Sequence, residues 1–376
     1  MITPLAKKLG LTMPVFAFSK APAVVAAVSR AGGMGVLGAV AYTPDQLREA
    51  LDYIEAHCDG KPYGVDVVMP EVYVKPGDNF EAHIPPEHRA FVDRLLREFG
   101  VPELPAGEAA WHSLLGWTEE TVRPQLEIIF QYPIKLLANA LGTPPKDIID
   151  RAHDNGILVA ALAGSVRHAQ RQIAQGIDVV VAQGTEAGGH CGEIATMVLV
   201  PDVVDAVGQI DGQPVKEVAV LAAGGIGTGR QMAAALALGA QGVWLGSLWL
   251  TCAESDVNAE VLDKLLSAGS GDTVRSKALS GKPARQLKTA WSDAWDNPKN
   301  PTPLLVPLQF VLTAEATTRI HRFASDSTTR TKELLTSPVG QIVGRMNQVE
   351  PVSVIMDRLR AEYETALSRV NGYGQF

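Results

Sequence analysis

The chain has few cysteines, few aromatic residues and no run of positive charge. Only Cys58, Cys191 and Cys252 occur among its 376 residues. They are far apart, odd in number and form no CxxC pair, which excludes a disulfide framework and a zinc knuckle. Glu186, His190 and Glu193 are separated by glycines that break a helix, so no shared helical face presents them to a metal. Aromatic residues make up 6% of the chain. The net charge is −8 and no basic cluster stands out, so neither nucleic acid nor an anionic membrane surface is an expected partner. No apolar stretch is long enough to span a bilayer. Near the N-terminus, Pro14 interrupts a short apolar segment that lacks a cleavage-like site, and a reducing cytoplasm is the expected location.

Glycine (35) and proline (24) are plentiful, and 46% of residues are hydrophobic. That mix suits an α/β protein with many short turns and a large core. One pattern recurs: a helix closes on glycine and a buried strand follows, as in RAGGMGVLGA, HDNGILVAAL, AQGIDVVVAQG and LALGAQGVWLG. Continuous apolar strands imply a parallel sheet covered on both sides. About eight strands alternate with helices from Val15 onward, which favours a closed (β/α)₈ TIM barrel over residues 1–255. Expected helices include one from Pro22 to Gly32, one from Thr43 to about His57, one that Ser165 caps, and one from Pro201 to about Gly208. Residues 71–130, rich in proline and carrying Trp111 and Trp117, break the rhythm and read as an insertion after the third strand. Residues 256–376 read as a mainly helical extension, with helices at roughly 256–266, 311–335 and 351–370. It would cap the barrel mouth, form a homodimer surface, or do both.

The chemistry concentrates in Val179 to Gly192, VVVAQGTEAGGHCG. A buried strand ends at Gln183, and a loop carries Glu186, Gly188, Gly189 and His190. Two glycines before a histidine suit a backbone that passes close to something flat. A histidine at the mouth of a barrel strand is a candidate general base. Two further glycine features, AAGGIGTG at 222–229 and LGS at 245–247, fall after the expected seventh and eighth strands, where barrels bind phosphate. The alternative is tight turns with no ligand. Cys191 adjoins His190, but neighbours in an extended loop point to opposite sides, which disfavours a Cys–His nucleophile. Glu186 reads as a structural hydrogen-bonding residue or a solvent-facing one. His153 and His168 read as surface residues on the barrel exterior. Trp291 and Trp295 read as core or interface.

QGTEAGGHCG, AAGGIGTG and GVWLGS together resemble the nitronate monooxygenase family, formerly called 2-nitropropane dioxygenases. RAGGMGVLGA, YGVDV and SGKPAR (280–285) match further family segments. The resemblance implies FMN, with phosphate around Ala223, Gly224, Gly225, Gly246 and Ser247. It also implies flavin contacts at Ala17, Phe18, Ser19, Asp66, Gln183, Gly188 and Gly189, and His190 as the base. The chain departs from the family at Ala17-Phe18-Ser19, where many relatives have Ala-Pro-Met, and at Asp66, where many have Asn. It also has Leu162 where some offer Lys. A carboxylate at Asp66 would disfavour an anionic reduced flavin unless protonated or hydrogen-bonded away. The expected reaction is oxidation of an alkyl nitronate by O₂. The alternatives are reduction of an enoyl thioester or acyl-CoA with NAD(P)H, a flavin-free phosphate-binding barrel, and a non-catalytic flavin carrier.

Overall fold

The computed structural model describes residues 2–69, 79–108, 119–207, 209–210, 213–214 and 218–373. Eight parallel strands close into a barrel: β1 (Val15–Ser19), β2 (Met34–Gly38), β3 (Tyr63–Val67), β4 (Leu136–Asn139), β5 (Leu158–Ala163), β6 (Val179–Gln183), β7 (Ala219–Ala223) and β8 (Gly242–Leu245). Each strand pairs with its neighbours in sequence, and β8 closes on β1 through Val15–Val243 and Phe16–Trp244.

The side-chain period of two divides each strand between two layers. Phe16, Met34, Val36, Leu136, Val179 and Leu221 fill the barrel interior. Val15, Leu37, Val65, Leu137, Val180 and Ala222 face the surrounding helices. A helix that the sequence pattern did not announce, α1 (Pro4–Lys8), plugs the end where the strands begin. Its Leu5 and Ala6 join the interior cluster. Thr3 Oγ donates to the Gln241 carbonyl at 2.6 Å, and Leu5 N–H donates to Gln241 Oε1 at 3.0 Å. The opposite end, where the strands finish, is left for chemistry.

Most outer helices begin and end as their caps direct. Pro22 and Pro44 open α2 (Pro22–Arg30) and α3 (Pro44–His57), and Thr43 and Gln46 form a capping box. Ser165 caps α7 (Val166–Ala174). The helix expected from Pro201 starts five residues earlier, as α8 (Thr196–Val207), with the proline inside it. The cause is a distant cap: the Glu186 carboxylate accepts from Thr196 N–H at 3.0 Å and from its hydroxyl at 2.9 Å.

The insertion after β3 contains α4 (Pro86–Glu98) and α5 (Glu119–Ile129). α5 packs on α3 as a barrel helix, whereas α4 packs on the C-terminal extension. Trp111 and Trp117 lie outside the described residues.

The extension has α10 (Ala259–Ser267), α11 (Ala290–Asp296), α12 (Leu308–Phe323), α13 (Thr331–Leu334) and α14 (Val352–Tyr373). The single helix expected at 311–335 is thus two. Between them Asp326 Oδ1 accepts from the amide and hydroxyl of Thr328, a local turn that competes with the helix. Two unanticipated strands, β9 (Thr273–Ser276) and β10 (Ala284–Leu287), form an antiparallel pair. β10 then pairs with Gly189–His190, so the extension takes the histidine loop into its own sheet. Trp291 and Trp295 are buried in the core, as expected. α14 packs against α9 (Gly229–Ala237) and α2. No described helix is long and apolar enough to cross a membrane.

Candidate active site

A chamber of about 480 Å³ opens where the barrel strands end. Phe18 and Ser19 reach it from β1, Asp66 from β3, and Gln183 from β6. Gly188, Gly189 and His190 come from the following loop, Ala223 and Gly225 from the end of β7, and Gly246 and Ser247 from the end of β8. The sequence-predicted residues therefore converge, with two exceptions. Ala17 points away from the barrel interior into the helix layer, because it alternates with Phe16 and Phe18. Gly224 turns toward the preceding loop, where an added Cβ would lie 2.9 Å from Thr196 Oγ and 3.1 Å from Ala187 N.

His190 is largely buried. Burial, reinforced by the Lys282 charge, pushes its pKa down to about 4, so the ring is neutral at pH 7. Its Nε2 lies 2.7 Å from Ser280 Oγ, and the edge of one ring meets the face of the other at Phe310, 6.4 Å between centroids. Asp66 shifts the opposite way for the same reason. Burial raises its pKa to about 7, opposed by a backbone hydrogen bond at Ala140. The protonated state that a reduced flavin would require of Asp66 is therefore accessible at neutral pH. Leu162, on β5, adds to the apolar wall.

The two loop glycines are needed for different reasons. A Cβ at Gly188 would lie 2.8 Å from the backbone of Val339 and Gly340, so the extension's own chain demands the close approach there. Gly189 has φ +75°, a left-handed conformation that favours glycine. Cys191 Sγ contacts the Thr185 carbonyl, and burial raises its pKa, which leaves it a poor nucleophile. His153 is exposed on the barrel exterior, as expected, and its Nε2, 2.8 Å from Asp178 Oδ2, fastens α6 (Lys146–Asp154) to the start of β6.

Several lining residues gave no sequence signal. Pro338, Gly340 and Ile342 come from the far end of the extension, and Gly340 N–H donates to Ser247 Oγ at 2.8 Å. Gln341 N–H donates to the Glu186 carbonyl at 2.9 Å. Trp244 and Phe310 complete the wall. Ser280 lies in the SGKPAR segment, whose resemblance marked the stretch without singling out the residue.

A phosphate-bearing cofactor fits this end of the barrel. The backbone N–H groups of Gly225, Ile226 and Ser247 have no acceptor among the described residues, a local concentration of donors suited to an anion. The N-terminus of α9 is less open than the glycine motif suggested. Gly229 N–H already donates to Glu362 Oε2 of α14 at 2.8 Å. Among the described residues no cluster of His, Cys, Asp or Glu is arranged to hold a metal ion.

Comparison with known proteins identifies the family and supports the barrel fold. The family model for nitronate monooxygenase matches residues 4–362. The "Putative monooxygenase Rv1533" of Mycobacterium tuberculosis is 49% identical over 373 residues, covering 97% of each chain. A "Probable nitronate monooxygenase" of Staphylococcus aureus is 31% identical over 300 residues, covering 75% of this chain and 77% of the relative. The nitroalkane oxidase of Streptomyces ansochromogenes superposes with a TM-score of 0.78 at 25% identity, covering 97% of this chain and 99% of the other. FabK of Thermotoga maritima superposes with a TM-score of 0.72 at 26% identity, covering 99% of each. The chain is an oxidoreductase of the nitronate monooxygenase family.

Proposed function

We propose that the protein is an FMN-dependent enzyme that oxidises alkyl nitronates with O₂, with His190 as the base. The observation that carries this reading is a neutral, buried imidazole opening onto a largely apolar chamber beside unpartnered backbone donors. FMN would supply the capacity to accept electrons from the carbon acid and return them to oxygen. The phosphate would rest on the amides of Gly225, Ile226 and Ser247, and the ring system would lie among Phe18, Ser19, Asp66, Gln183 and Gly188-Gly189. His190, uncharged at working pH, would take a proton from the substrate carbon or orient the anion already formed. Phe310, Leu162 and Trp244 would exclude water from the reacting carbon.

The test is the visible spectrum of the purified protein, followed by anaerobic addition of propionate 3-nitronate. A yellow protein that bleaches and then recovers in air supports the reading; a colourless protein that refuses FMN rejects it. His190→Asn should retain FMN and lose turnover by about 10²–10⁴-fold, the range for a general base. Unchanged turnover with FMN retained would remove His190 from the mechanism.

A second reading keeps the flavin and changes the substrate to an enoyl thioester, with NAD(P)H as donor. It is favoured by an outer groove of about 1320 Å³ that shares Phe18, Lys20, Leu250, Asp256, Val257 and Pro338 with the chamber. A long substrate could run from one space into the other. Bleaching by NAD(P)H and reoxidation by an enoyl thioester, with indifference to nitronate, would select it.

A further inference from the structure

We infer that Ser280 is a positioning residue that fixes the tautomer of His190, leaving Nδ1 as the basic nitrogen. The inference rests on the reading of His190 as the base. Ser280 is 2% exposed and makes three polar contacts. Its Oγ lies 2.7 Å from His190 Nε2, 3.1 Å from the Lys282 carbonyl and 3.3 Å from the Lys282 amide.

A hydroxyl has one proton to give and two lone pairs to offer. The Lys282 amide can only donate, and the Lys282 carbonyl can only accept. If Ser280 gives its proton to the carbonyl, its lone pairs accept from the amide and from His190 Nε2–H, and all three contacts are satisfied. If Ser280 instead donates to Nε2, the carbonyl contact loses its hydrogen. The first arrangement is favoured at a buried site, where an unmade hydrogen bond costs about 1–3 kcal/mol. It places the ring proton on Nε2 and leaves the lone pair on Nδ1. That atom has no hydrogen-bond partner among the described residues. The imidazole belongs to the chamber wall, so its unengaged nitrogen is the one left for a substrate.

The arrangement also serves the protonated ring. When Nδ1 takes a proton, Nε2–H still donates to Ser280 and no hydroxyl has to turn. Holding the loop does not require this bond, because β10 already pairs Ala284 with His190 and Arg285 with Gly189 through the backbone. The hydroxyl therefore acts on the ring rather than on the chain.

The experiment is a long-range ¹H–¹⁵N correlation spectrum of the ¹⁵N-histidine holoenzyme at pH 7, with His190→Asn identifying the signal. The wild type should show one neutral tautomer protonated at Nε2. Ser280→Ala should show a mixture of tautomers and a kcat lower by about 10- to 100-fold, the range for a group that orients an imidazole. Its KM should be little changed, and Ser280→Thr, which keeps a hydroxyl, should recover most of the rate. A wild-type ring protonated at Nδ1 overturns the inference, whatever the variants do. So does Ser280→Ala with an unaltered tautomer and rate. If the spectrum shows the Nε2–H form while nitronate is not oxidised, the substrate assignment fails and the tautomer assignment stands.

Discussion

Asp66 and His190 are displaced from their ordinary ranges in opposite directions by one cause, burial. Between about 4 and about 7 both are uncharged, since the histidine has lost its proton and the aspartate has kept one. Protonated His190 is no base, so with a neutral nitroalkane, whose carbon must first lose a proton, the anaerobic bleaching rate should fall as pH drops through about 4. Ionised Asp66 would set a negative charge beside the flavin, so the same rate should also fall as pH rises through about 7. Asp66→Asn should abolish the upper limb and leave the lower one in place. A persistent upper limb in that variant would assign it to another group. At this scale the sequence reveals residue type well and neighbours poorly. His190 and Asp66 are visible in their motifs, whereas Ser280 is separated from His190 by 90 positions and meets it only through β10. The Ala17 side chain lies in the helix layer because it alternates with Phe16 and Phe18 along β1, an orientation that the resemblance at Ala17-Phe18-Ser19 does not convey.

Helix termini show the same division between local and distant causes. Thr43 and Ser165 cap from within their own segments, and those starts are legible. α8 is capped by Glu186, ten residues away across a loop, and its start is not. α9 combines both. Thr228 Oγ accepts from Gln231 N–H, while Glu362 of α14 takes Gly229 N–H. The positive end of α9 is thus met by a protein carboxylate, and on the proposed FMN reading the phosphate would be left to the loop amides. Glu362→Ala should therefore lower stability by about 1 kcal/mol in chemical denaturation and leave FMN affinity unchanged. A large loss of FMN affinity with unaltered stability would instead tie α14 to the phosphate.

Across the whole molecule, the eightfold strand rhythm is legible because each βα unit repeats the same local grammar of buried strand, cap and closing glycine. The placement of the extension is not, because its contacts join residues far apart in sequence. β10 pairs with the His190 loop, α4 of the insertion packs on α12, and Arg319 of α12 donates to the carbonyls of Pro102 and Val101. The consequence is measurable. A chain ending before Thr336 keeps every barrel strand but loses Pro338, Gly340 and Ile342 from the chamber wall. It should elute from gel filtration without yellow colour, while the full chain retains it. A truncated protein that stays yellow would show that the barrel holds the cofactor without residues 336–376.

The dependence of the chamber on Gly340 also imposes an order in time. During synthesis the last barrel strand ends at Leu245, whereas the Gly340 wall is made roughly 90 residues later, about 5–20 s at ordinary elongation rates. Through that interval the nascent barrel has all its strands and an unroofed histidine loop. On the proposed FMN reading, cofactor capture would be deferred until that wall is made, and an unfinished chain would not draw on the cell's flavin.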